Sequence, residues 1–143
     1  MRKSLTVRLR SSQAQFVGMI LLLVNGLAAL WGGGSLVVDP SGQALGMSTD
    51  FLVHSPFVDY AIPGLILFTV LGLGSLLAGI AALLYWQWWP EAFVIEGGVI
   101  TGWIVIEALM LQVVYPTQLV IAAIGLFGFL TGLAALRQGR TSI

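Results

Sequence analysis

Of the 143 residues 58% are hydrophobic and 8% charged, and the mean hydropathy of +0.99 lies outside the balance of soluble domains, which identifies an integral membrane protein. The absence of cysteine, together with a single histidine, excludes disulfides, thiolate chemistry, cysteine-ligated zinc or iron–sulfur centres, and a bis-histidine haem within one chain. Formal charge is zero, but all six basic residues, Arg2, Lys3, Arg8, Arg10, Arg137 and Arg140, lie at the two ends, so no basic face exists to receive nucleic acid.

Four apolar stretches reach the roughly 20 residues that a bilayer core demands; they cover about 16–38, 60–86, 93–114 and 119–136. The first follows "MRKSLTVRLR", a basic segment of signal-peptide type, but the apolar run is too long for such a peptide and has no clear small-residue cleavage site, so an uncleaved helix is expected. Asn25 lies near its centre, and Gly32-Gly33-Gly34 is expected to loosen or end it. The following loop, "DPSGQALGMSTDFLVHSPFVDY", opens with Asp39-Pro40-Ser41-Gly42, the pattern of a type I turn. His54 with Asp50 and Asp59 has the residue types of a metal or proton site but reads more simply as solvated loop, and no metal is assigned. Pro56 and Pro63 flank Asp59 and Tyr60, which suits a chain entering a helix with an acid at the positive end of its dipole.

In the second span Ser75 and Gly79 form a small-residue pair near Gly72, and Thr69 adds a hydroxyl. Trp86, Trp88 and Trp89 mark one membrane interface, Tyr60 and Tyr115 the other. The third span carries the face Glu96, Ile100, Trp103, Glu107 and Met110. Its two acids, about 20° apart around the helix and roughly 16 Å along it, share that face. Glu107 is placed near the middle of the span, where a charge is costly; it is expected to be neutral and to hydrogen-bond Asn25. The fourth span has a stripe of Gly125, Gly128, Gly132 and Ala135 for close helix packing.

Short links around "WQWWPE" and "YPTQ" predict an antiparallel four-helix bundle as a single domain over 1–143. With every basic residue at an end and four spans between, both termini are expected in the cytoplasm.

At "DPSGQALGM", "SPFVDYAIPGLIL" and "GWIVIEALM" the chain resembles a family of small, uncharacterised four-span bacterial membrane proteins. In size and topology it is loosely similar to DoxX-like proteins, some of which are associated with quinone-linked redox systems. The first resemblance implies a multi-pass protein of the bacterial inner membrane, and a glutamine often stands in that family where this chain has Glu107. It implies no particular activity and no cofactor.

Three functional classes follow. A non-catalytic accessory subunit of a larger membrane assembly needs no reactive residues, and no nucleophile–base pair or phosphate loop is evident; this reading leads. A binding protein or enzyme for a hydrophobic molecule such as a quinone or lipid would use Glu107 and Asn25 as recognition groups. A proton-coupled carrier or channel would use Glu107, with Glu96 at its inner mouth, and has least support.

Overall fold

The computed structural model describes residues 2–140 and the side-chain surroundings of 12–139; the side chains of Arg2, Lys3, Arg8, Arg10 and Arg140 lie outside that range. Among the described residues there are four long helices and no strand. Helix α1 runs Arg2–Val38, α2 Ala61–Leu83, α3 Trp89–Leu111 and α4 Pro116–Arg140. Each holds a segment long and apolar enough to cross a membrane, namely Ser12–Val38, Ala61–Leu83, Trp89–Leu111 and Pro116–Gly139.

The ends are set by local chemistry. Helix α3 starts at Trp89 rather than at 93 because Pro90 occupies its first turn, where a missing N–H costs nothing. It stops at Leu111 because Gln112 turns to φ 56, closing the helix with an N–H bond to Ala108 O. The stretch 112–115 is therefore outside the helix, although hydropathy alone includes most of it. At the start of α2, Asp59 Oδ1 accepts the Ala61 N–H at 2.9 Å, as the acid before that helix leads one to expect.

The glycine triplet does not end α1, which continues to Val38. Its work is close approach: a methyl group on Gly33 would lie 2.5 Å from Phe68 N and 2.7 Å from Gly64 O. The contacts between α1 and α2 continue in order, with Gly64 on Leu36, Gly72 on Leu30, Gly26 on Leu76 and Gly79 on Leu23. From 64 through 68 and 72 to 76 the α2 residues at these contacts step by four, and Gly79 follows three residues later. A regular α-helix would drift roughly 40° per such step and turn the row away from α1. Residues Leu67–Leu73 instead form a widened π-helical segment, which keeps the row aligned.

Helices α3 and α4 meet backbone to backbone. A methyl group on Gly97 would collide with Gly125 O and Phe129 N, and one on Gly132 with Pro90 O. Gly125 and Gly132 thus pack within the chain. Gly128 is different: its nearest neighbour is Leu22, 3.8 Å from where a Cβ would stand. At the centre Leu22, Leu71, Phe93 and Ile100 are fully buried. Trp89 turns inward and meets Phe93 edge-on at 5.0 Å, while Trp86 and Trp88 stay exposed at the end of the bundle, 5.1 Å apart.

Large apolar side chains such as Trp31, Leu109 and Leu119 are more than 60% exposed along the helices. In water that surface would drive aggregation, whereas in hydrocarbon it is the expected exterior. The four helices are those of a multi-pass membrane protein.

Candidate functional site

The site is built from the loop downward. Gly42 N–H bonds to Asp39 O at 3.1 Å, closing the expected turn, and the Asp39 carboxylate accepts from Ser41 Oγ at 2.6 Å, Ser41 N at 3.2 Å and Ala44 N at 2.9 Å. Gly42 takes φ 80, and the Tyr60 ring lies 2.9 Å from where its Cβ would be, so any larger residue would push the loop off the ring. Tyr60 is buried; its hydroxyl donates to Ser48 O at 2.7 Å and its N–H to Pro40 O at 2.9 Å. These bonds seat Leu45, Met47 and Leu52 over the end of the bundle, packed on Leu36 and Tyr60.

Beneath this cover is a cavity of about 170 Å³, with Met47, Leu52, Tyr60, Trp103, Glu107 and Met110 among its walls. Every wall but one is apolar or aromatic; the exception is the Glu107 carboxyl. Beside it stands Gln118, 3% exposed, at the start of α4. Its Oε1 accepts the Tyr115 N–H at 2.9 Å, which caps that helix. Its Nε2 is buried and directed at the Glu107 carboxyl, near it but out of line for a good hydrogen bond. A buried donor left without a partner costs about 1–3 kcal/mol, so the Glu107 carboxyl is the acceptor this amide turns to.

The expected pair Asn25–Glu107 does not form. Asn25 Nδ2 donates to Ser75 Oγ at 3.1 Å, and Ser75 Oγ donates to Glu96 Oε1 at 2.8 Å. Because α3 ends at Leu111, Glu107 lies in its final turns rather than at its middle, and Glu96 is the acid at the level of Asn25. Around the cavity Glu107 meets Trp103 and Met110 of the predicted face and Tyr60 from the loop, while Gln118 of α4 stands behind its carboxyl. Tyr60 was expected only as an interface aromatic, and Gln118 was not singled out. The signal for Gln118 was its position two residues after Pro116, inside the first turn of a helix, where side chains commonly cap. Tyr115 is exposed at the same end.

Asp50 takes its hydrogen bond from Ser48 Oγ at 3.0 Å. Among the described residues no group of three or more His, Asp or Glu is placed to hold a metal ion. Comparison with protein-family models, with curated proteins and with solved structures finds no match.

The loop's anchor has a pH signature. Hydrogen bonds from Ser41 and then Ala44 hold the Asp39 carboxyl below the usual carboxylate range. The order they confer is therefore complete above that range and is lost as pH falls through the lowered value. Amide hydrogen exchange at Ser41 and Ala44, corrected for intrinsic rates, should accelerate at acid pH, and Asp39→Asn should show partial loss of protection already at neutral pH. Equal protection in the variant would detach the loop's order from this carboxylate.

Proposed function

We propose that this chain binds a hydrophobic small molecule with a hydrogen-bonding head in the cavity beneath the 39–60 loop. The observation that carries this reading is a nearly apolar cavity with a single carboxyl in its wall and the buried Gln118 amide beside that carboxyl. The Glu107 carboxyl would hold the polar head, and the Gln118 amide behind it would hold that carboxyl in place. At about 170 Å³ the cavity is smaller than the roughly 300–1,000 Å³ of sites that enclose a whole drug-sized ligand. It suits a single ring or a lipid head, with the tail left among the bilayer chains.

In this reading the bundle is antiparallel and both termini face the cytoplasm of a bacterial cell, in its inner membrane. The falling and rising order of the α1–α2 contacts supports the first point, and the gathering of all basic residues at the ends supports the second. An accessory subunit would also present apolar outer faces, but lipid satisfies such faces equally, whereas it does not account for an apolar cavity beneath the loop with a carboxyl in its wall. Proton carriage by Glu107 is less well supported, because the hydroxyl among the described walls, that of Tyr60, is committed to Ser48 O.

Native mass spectrometry of gently extracted protein tests the proposal. The expected result is a small-molecule adduct on the wild type, kept by Glu107→Gln, which retains hydrogen bonding, and lost from both Glu107→Leu and the cavity-filling Leu52→Trp. Adduct retained equally in the last two would place the molecule elsewhere, and co-purifying protein subunits without any adduct would favour the accessory role.

A further inference from the structure

Glu96 has a different environment from Glu107. It is 6% exposed, and its carboxyl rests on Gly74, where a Cβ would come within 2.5 Å of Oε2. The hydrogen-bond sense around it is fixed. The Asn25 amide nitrogen can only donate, so Ser75 Oγ accepts from it and must spend its single proton on Glu96 Oε1. Among the described residues Oε2 has no hydrogen-bond partner. It borders a cleft of about 230 Å³ between α2 and α3, whose walls include Gly74, Leu77, Ala78, Trp88, Glu91 and Ile95.

That cleft presents two carboxyls and an indole, with no basic side chain among its walls. Glu91 is exposed in the first turn of α3 and Trp88 stands at the mouth, 40% exposed. We infer that the cleft binds an organic monocation, its charged head against Glu96 Oε2 and Glu91 and its apolar body along Leu77, Ala78 and Ile95. A cation seated there would favour the ionised form of the buried Glu96, where charge attraction is little screened, and an indole face adds a cation–π contact. Ser75 contributes by holding a donor on the inner oxygen, which leaves the outer one to the guest. A metal cation fits poorly: calcium takes six to eight oxygens and magnesium an octahedron, and this cleft supplies the oxygens of two side chains in an otherwise apolar wall. This site is separate from the Glu107 cavity and stands independently of it.

The test is calorimetric titration of the whole chain in phosphatidylcholine nanodiscs with benzyltrimethylammonium. Neopentylbenzene, the same shape with carbon in place of nitrogen, is the neutral control. The cation should bind and the hydrocarbon should not. Glu96→Gln keeps an acceptor for Ser75 and should weaken cation binding by at least about tenfold, the loss of one charge-assisted contact. Leu77→Trp, at an exposed position, should fill the cleft and abolish binding, while Val105→Ala, an exposed change farther along α3, should leave it intact. Equal binding of the hydrocarbon overturns the inference, as does cation binding that survives both Glu96→Gln and Leu77→Trp.

Discussion

Gly97→Ala is expected to unfold in dodecyl maltoside at temperatures where the wild-type chain is intact, whereas Gly128→Ala should melt with the wild type. Both changes add one methyl group, and only the neighbours differ. At Gly97 the new carbon would stand against Gly125 O, 2.5 Å from Phe129 N and 2.9 Å from Phe129 Cα. These are backbone atoms, so no rotamer change relieves the clash and α4 itself must move. Gly125 is close from the other side too, 2.8 Å from Ile100 Cγ2 and 3.0 Å from Gly97 O, though its nearest neighbours are side-chain atoms. Overpacking costs about 1–3 kcal/mol where side chains can adjust; with helix backbones in contact the upper end or beyond is expected, a fall in apparent melting temperature on the order of 10 °C. At Gly128 the nearest atom is 3.8 Å away, and alanine is the better helix former. Circular dichroism melts and monodisperse recovery after heating distinguish the two. Equal melting of both variants with the wild type would mean that the α3–α4 contact is not where the stability lies.

The contrast between these glycines marks what a sequence can and cannot reveal. Spacing put Gly125, Gly128 and Gly132 on one stripe, and all three do face inward. Which of them touches backbone depends on the crossing of α3 with α4 and on the placement of Leu22, neither of which is local. The four spans were legible because bilayer thickness turns apolar length into a helix count. The interior polar pairs were not. Judged from hydropathy, the third span runs to Val114 and its middle falls near Glu107. The left-handed Gln112 ends it sooner, moving Glu107 to the end of the bundle and Glu96 to the level of Asn25. The π-helical segment in α2 is equally silent in the sequence, since Leu67–Leu73 is apolar with one threonine, whose hydroxyl turns back to Leu65 O at 2.7 Å. Yet that segment sets the register by which Ser75 reaches both Asn25 and Glu96.

Ser75 should accordingly be the most sensitive polar position in the interior. It is fully buried, and its one hydroxyl serves two helices, accepting from Asn25 on α1 and donating to Glu96 on α3. Removing that oxygen strands the Asn25 amide and takes the donor from Glu96. A single hydrogen bond between membrane helices contributes about 0.6 kcal/mol on average, but an orphaned buried donor costs about 1–3 kcal/mol. Ser75→Ala is therefore expected to lose about 2 kcal/mol, more than the loss of one bond. The sign of the coupling then separates a relay from generic packing. Asn25→Leu made in the Ser75→Ala background removes the stranded amide and should recover part of the loss, whereas in the wild-type background the same change is destabilising because it deprives Ser75 of a donor. A double-mutant cycle read by reversible unfolding in mixed detergent micelles should show non-additivity of about 1 kcal/mol. Strict additivity would mean that Asn25 and Ser75 act independently, and the three-residue relay across α1, α2 and α3 would have to be abandoned.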